Sequence, residues 1–387
     1  MKKVFIYEGM NWHGECLSSY YSYFTELGYE VTFAICESRA SEYPLWMIKN
    51  AKIYTFTNPT SRNSILFKKH ENELIAKIPD LFEYDIYFIC TMLSDSYEFV
   101  KSLYRHGVGR NKILHQNHRD YNTFLHWTNN DVSLAKNGFV LGIDKQKHFS
   151  QLSPIKNETK MEHPKLEKNL DTINIFIGGL AKIHFKNFEK LVAETEKLNK
   201  EGYKINIDVT GIRQKGNYVL PNSEYVNYLG RLGFKEIAEK YCTSDFLFVL
   251  FDEKPLTPGA IAEEKTFLTG RVSGSRNMSI MYKIPLVVQK PFQLSWDLND
   301  DNSIGFSGND YKKVLLDLCN MKKEKYNNII EELQIKEQKE FQKCLNNLKN
   351  KISALETNTY KNNPVLIYNN YSINVQSKRK KKNFINF

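Results

Sequence analysis

Apolar and polar positions fall into an ordered series of blocks. Val4-Phe5-Ile6-Tyr7 is a short apolar run closed by Glu8-Gly9. Leu17, Tyr20, Tyr21, Phe24 and Leu27 then repeat at helical spacing up to Gly28, and residues 31–35 (VTFAI) form the next run. That order predicts a β–α–β unit. Runs follow at 52–56 and 85–90 with a helical stretch at 71–78 between them, then a helix over 96–106 and strands at 112–115 and 139–143. A second series begins at 173–177 and continues with a helix over 187–199, strands at 205–210 and 225–229, a helix over 234–241 and a buried strand at 245–251. A Pro/Gly-broken loop over 252–269, a short helix and a strand at 286–289 close it. Strands alternating with helices predict parallel sheets covered on both faces, with ligands at the carboxyl ends of the strands. Residues 311–355 read as helical, and Phe341, Leu345, Leu348, Ile352 and Leu355 form one stripe expected to bury against the rest of the chain.

The polar stretch 157–172, with Pro164, reads as a linker between an N-terminal domain over 1–156 and a second over 173–310. Helices over 311–356 and an Asn/Lys-rich tail over 357–387 complete the division. With 41% hydrophobic and 13% aromatic residues in 387, the chain has ample material for cores. A net charge of +10 favours anionic partners. The run Lys378-Arg379-Lys380-Lys381-Lys382 is most simply a solvated tail; its alternative is peripheral contact with an acidic membrane. Six scattered cysteines show no metal-ligand spacing, so no metal is expected and buried free thiols fit a reducing compartment. The chain opens directly into a strand and has no apolar stretch of membrane-spanning length, so a cytoplasmic location is expected. Walker, GxGxxG and zinc-enzyme signatures are missing, as is the aromatic–basic interleaving of nucleic-acid binders, so nucleic acid is not an expected partner.

Candidate chemistry sits at the strand ends. The first offers Glu8, Asn11 and His13; the fourth offers Thr91, Ser94 and Asp95. The fifth carries the densest polar cluster, His115, Gln116, Asn117, His118, Arg119 and Asp120. A histidine near its unperturbed pKa can act as a general base. In the second half, Gly270, Ser273, Gly274 and Ser275 precede a helix, with Arg271 and Arg276 on either side. A Gly/Ser loop at a helix N-terminus offers unpaired N–H groups and a positive dipole end, suited to phosphate; an ordinary helix cap is the alternative.

The order of these features resembles the GT-B glycosyltransferases, broadly of the family-four kind. FIGGLAKIHFKNFEKL is similar to their first donor-domain strand, glycine turn and lysine before a helix. EYVNYLGRLGFKEIAEKYCTSDFLFVL resembles the segment that forms the base pocket, and NMSIMYKIPLVV the helix and strand after the donor-phosphate loop. The resemblance implies an α/β fold of two Rossmann-like doubly wound domains facing a cleft, with C-terminal helices. It implies a hexosyltransferase without a cofactor, using a nucleotide-sugar donor and a glycan or glycolipid acceptor. Lys182, Lys186 and Arg213 would neutralise the donor diphosphate beside Gly179 and Gly211. Arg231 and Leu232 would line the base, and Ser273, Gly274, Ser275 and Arg276 would hold phosphate oxygens. His13 and Gly14 would face the donor from the other domain, with His13, His118 or Asp120 as catalytic groups. The family's Glu-x7-Glu pair is replaced by Gly270 and Met278; Glu263 and Glu264 do not map onto it, and Asp300-Asp301 is only a weak metal motif. The alternatives are a nucleotide-sugar epimerase-like enzyme and a non-catalytic sugar- or nucleic-acid-binding protein.

Overall fold

A computed structural model describes residues 1–9, 14–42, 45, 48–117, 121–141, 149–154, 171–179, 185–211, 220–251, 267–268 and 273–357. Two parallel sheets organise them. The first has seven strands: β1 Lys3–Glu8, β2 Glu30–Cys36, β3 Lys52–Phe56, β4 Ile86–Met92, β5 Ile113–Asn117, β6 Gly138–Val140 and β7 Ser150–Gln151. Their spatial order is β3-β2-β1-β4-β5-β6-β7. The second has six: β8 Ile173–Ile177, β9 Ile205–Val209, β10 Val226–Tyr228, β11 Phe246–Phe248, β12 Leu286–Gln289 and β13 Ser303–Phe306, ordered β10-β9-β8-β11-β12-β13. Each order reverses direction at its first strand, so the switch points lie between β1 and β4 and between β8 and β11.

Helices cover both faces. α1 Leu17–Glu26, α2 Ser64–Lys77, α3 Ser94–Arg105, α4 Tyr121–Trp127 and α5 Val132–Ala135 serve the first sheet. α6 Phe185–Lys200, α7 Phe234–Thr243, α8 Gly274–Tyr282, α9 Lys290–Ser295 and α10 Tyr311–Cys319 serve the second. Central strands such as β1, β2 and β4 read as largely apolar runs because they are buried on both sides; every position of β4 is buried. α2 begins at Ser64, well before the helical stretch expected at 71–78, and is capped by the Asn63 side chain accepting from Ile65 N at 3.0 Å. β7, β13, α4, α5 and α9 were not legible as separate elements.

The last helix, α11 Lys323–Thr357, runs across both halves. Tyr326 and Ile330 pack in the core of the second sheet. Cys344, Leu345, Leu348, Ile352 and Leu355 pack in the core of the first, beside α1. The expected stripe is therefore buried within the same chain. Each such side chain contributes roughly 1.5–3 kcal/mol, enough to make the crossing a firm tie. Phe341 stacks on Tyr23 of α1 with centroids 4.8 Å apart.

Candidate functional site

The carboxyl edge of the second sheet is floored by glycine. β8 leads into Gly178-Gly179, and a Cβ on Gly178 would meet the Tyr241 hydroxyl at 3.0 Å. Gly211 follows β9 at φ +70°, where a Cβ would stand 3.4 Å from the Gly179 Cα. Gly230 follows β10; its carbonyl accepts from Gly211 N at 3.0 Å and from the Thr210 hydroxyl at 2.6 Å. Three strand ends thus close together, with their backbones open to a ligand. Arg231 is exposed and Leu232 half-buried just beyond them. α6 starts at the same edge with Lys186 exposed in its first turn.

α8 also starts at this edge, since it lies in sequence between the parallel, paired strands β11 and β12. Ser273 is its N-cap, with Oγ accepting from Ser275 N at 3.2 Å. Gly274 is exposed and Ser275 half-exposed, leaving first-turn N–H groups at the surface. Arg276 is placed otherwise than expected. It is 1% exposed. Its Nη1 donates to Glu340 Oε2 at 2.6 Å, Nη2 donates to the other Glu340 oxygen, and Nε donates to the Trp296 carbonyl at 3.1 Å. It is a buried anchor to α11 and not a phosphate ligand: a guanidinium satisfied on three sides inside the fold has no reach left to the loop. Burial opposes ionisation of Glu340, but the Arg276 and Lys336 charges outweigh it and hold the carboxyl below the usual range.

The first domain presents the facing edge. Gly14 is buried in a short 3-10 turn, Gly14–Cys16, which runs into α1. Tyr241, the residue that abuts Gly178, has its hydroxyl pKa raised by burial and, in smaller part, by the Glu15 carboxylate of that turn. At the switch point of the first sheet, Glu8 is fully buried and its Oε2 accepts from the Thr91 hydroxyl at 2.6 Å. Expected site residues His13, His118, Asp120, Lys182 and Arg213 lie outside the described residues, as do Gly270, Glu263 and Glu264.

Two further expectations are corrected. His115, Gln116 and Asn117 are buried strand residues, not an open polar cluster. His115 stacks on Phe124 at 4.7 Å and its Nε2 donates to the Leu134 carbonyl at 3.1 Å, while burial lowers its pKa to about 3. Asp300-Asp301 precedes β13, at the amino end of the strands and away from the glycine floor. Asp300 there accepts from Gln293 Nε2 at 3.0 Å. Among the described residues no group of three or more His, Cys, Asp and Glu is placed to hold a metal ion. Among them, too, no helix is long and apolar enough to cross a membrane. Sequence reading missed Glu340, which holds Arg276, and Tyr241, which abuts Gly178.

No protein-family model matches the chain, and no curated protein matches it in sequence. Solved structures do match in shape. An alpha-glucosyltransferase in complex with UDP superposes with a TM-score of 0.56 at 13% identity, over 92% of this chain and 100% of that one. The same kind of enzyme bound to UDP and a 13-mer DNA gives 0.53 at 13% identity, over 88% and 98%. The Anabaena protein HepE, in complex with UDP and glucose, gives 0.51 at 12% identity, over 92% and 100%. Two doubly wound domains are the shared architecture: the chain has the GT-B fold of these glycosyltransferases.

Proposed function

We propose that this chain is a glycosyltransferase that moves a sugar from a nucleotide diphosphate sugar to a hydroxyl of a glycan or glycolipid, without a metal. The observation that carries the reading is the convergence on one glycine-floored edge. The first turn of α6 with Lys186 and the N-terminus of α8 with Ser273, Gly274 and Ser275 both open there. Two positive helix ends and exposed N–H groups suit a diphosphate leaving group. UDP in three neighbours of the same fold supports it.

In this reading the donor diphosphate lies against Gly179, Gly211 and the α8 N-terminus, with Lys182, Lys186 and Arg213 as its cations. The base packs on Arg231 and Leu232. The bond between the anomeric carbon and the phosphate oxygen breaks, the acceptor oxygen bonds to that carbon, and the acceptor proton leaves. His13, His118 and Asp120, from the N-terminal half of the sequence, are the groups assigned to receive that proton or to hold the sugar.

The test is a thermal-shift series with nucleoside diphosphates on the full chain. A ligand at about one hundred times its Kd adds roughly 2.7 kcal/mol to stability. A rise with one nucleoside diphosphate, reduced in Lys186→Ala, is the expected result. Silence toward every nucleotide together with a rise on adding an oligonucleotide would replace the transferase with a nucleic-acid-binding protein. His13→Ala and His118→Ala are then expected to lower turnover more than donor affinity.

A further inference from the structure

We infer that the outer face of α2 is a seat for an anionic lipid surface. Ile65 is 69% exposed, Leu66 49% and Ile75 36%. The other large hydrophobic side chains exposed among the described residues, Met1, Val132, Leu294 and Ile335, stand singly on separate elements. Only α2 carries several: Ile65 and Leu66 adjoin in its first turn, while Ile75 lies about half a turn round the helix from Leu66. Its remaining exposed positions are Ser64, Lys68, Lys69, Asn72, Ala76 and Lys77, so no carboxylate is exposed on it.

The helix does contain acids, but the fold has turned them inward. Glu71 is buried; it accepts from the Ser102 hydroxyl and from Arg105 Nη2 at 2.9 Å. Glu73 accepts from Thr57 N at 2.7 Å and Asn58 Nδ2 at 2.8 Å. Lys68 reaches Glu71 at 3.0 Å with its side chain 66% exposed, and Lys77, 42% exposed, reaches Glu73 at 2.9 Å and the Thr55 carbonyl at 2.8 Å. Arg62, just before the helix, lies 3.4 Å from Asp95 with its side chain more than half exposed. Aliphatic side chains interleaved with cations, and with anions withdrawn, make a surface that gains from acyl chains and from acidic headgroups together. A nucleic-acid backbone would use the cations and leave the aliphatic groups wet.

Position gives the seat its use. α2 follows β3, so its N-terminus stands at the carboxyl edge of the first sheet. The Thr60 hydroxyl donates to the Asp95 carbonyl at 3.1 Å, tying that end to the first turn of α3 beside the switch point. A bilayer on Ile65 and Leu66 would lie beside that carboxyl edge. Resting on the transferase reading, this makes the acceptor a lipid-borne saccharide delivered from the membrane plane.

The test is flotation of the full chain with phosphatidylcholine vesicles, with and without phosphatidylglycerol. The wild type is expected to float with the anionic vesicles. Ile65→Ser/Leu66→Ser and Lys68→Gln/Lys69→Gln are each expected to bind roughly tenfold less, with unchanged melting. A variant with residues 378–382 changed to glutamine is expected to keep that dependence on α2. Wild-type flotation by both α2 variants overturns the inference. So does a loss confined to binding of a double-stranded oligonucleotide. Nucleotide-induced stabilisation is read without vesicles, so its absence alone would sink the transferase reading and leave the lipid seat standing.

Discussion

Replacing Glu340 by glutamine tests how the two halves of the molecule are held. Arg276 is 1% exposed and its guanidinium forks onto both Glu340 oxygens. A guanidinium does not shed its proton, so Glu340→Gln keeps the shape and leaves a buried cation without its counter-charge. Such losses cost about 3–5 kcal/mol. The reverse change, Arg276→Met, is gentler. Glu340 then retains Lys336 Nζ at 3.3 Å and can take up a proton. About 1–3 kcal/mol is expected. In Arg276→Met/Glu340→Leu neither charge remains, and Lys336 still has Asp297 at 2.9 Å. That double variant should lie near the wild type. Urea and thermal unfolding followed by circular dichroism at pH 7 give the ranking, with a fall of roughly 6–10 °C for Glu340→Gln. If Arg276→Met costs as much as Glu340→Gln, or the double variant costs the sum of the two, the buried-anchor account is wrong.

The same double variant decides what the arginine does for a ligand. As an anchor, Arg276 acts on the loop only by fixing α8, so the double variant should keep the nucleotide-induced rise in melting temperature. Wild-type stability with that rise abolished would return the guanidinium to the donor site.

Two further outcomes are expected. The His115 pKa is lowered to about 3 by burial, against an unfolded value near 6.5, so its contribution to stability is complete above pH 6.5 and falls as the unfolded chain takes up the proton below it. The slope is about 1.4 kcal/mol per pH unit, and His115→Phe should remove it in urea titrations at pH 7, 6 and 5; parallel curves for the two proteins would contradict this. Gly211→Ala, at φ +70° and against Gly179, should cost about 1–2 kcal/mol and weaken nucleotide binding. Gly28→Ala, at φ +79° in open space, should cost stability and leave nucleotide binding alone; equal affinities for the two variants would remove the glycine floor from the site.

Strands buried on both faces were legible because nothing interrupts their apolar runs; residues 286–289 coincide with β12. β13 was not, since Ile304 and Gly305 are half-exposed at the sheet edge and the sequence SIGF carries no alternation. Gly305 is there because the Gln293 side chain occupies the place of a Cβ, a contact between elements that no local pattern encodes. α2 lost its first turns for the opposite reason: Ile65 and Leu66 face outward, so the apolar spacing that marks a buried helix face begins only later. The glycine floor and the α8 cap were readable because their chemistry is local. Arg276 was misread because a cation in a Gly/Ser loop announces a charge without announcing its partner.

The partner had left a trace on α11. Leu333, Glu337, Glu340, Cys344 and Leu348 follow one another at steps of three and four, so they share a face. Leucines and a cysteine on that face are buried, and two acids stand where the stripe calls for apolar residues. A carboxylate on a buried stripe needs a cation from the element packed against it. Glu340 takes Arg276, and Glu337 lies 2.5 Å from Lys283 Nζ. Those two cations sit at opposite ends of α8, in its first turn and at its C-cap. The helix whose N-terminus opens on the glycine floor is thus clamped along its length to the helix that ties the two sheets together. A shift of α11 between the two sheets would therefore bear on α8 through these two ion pairs.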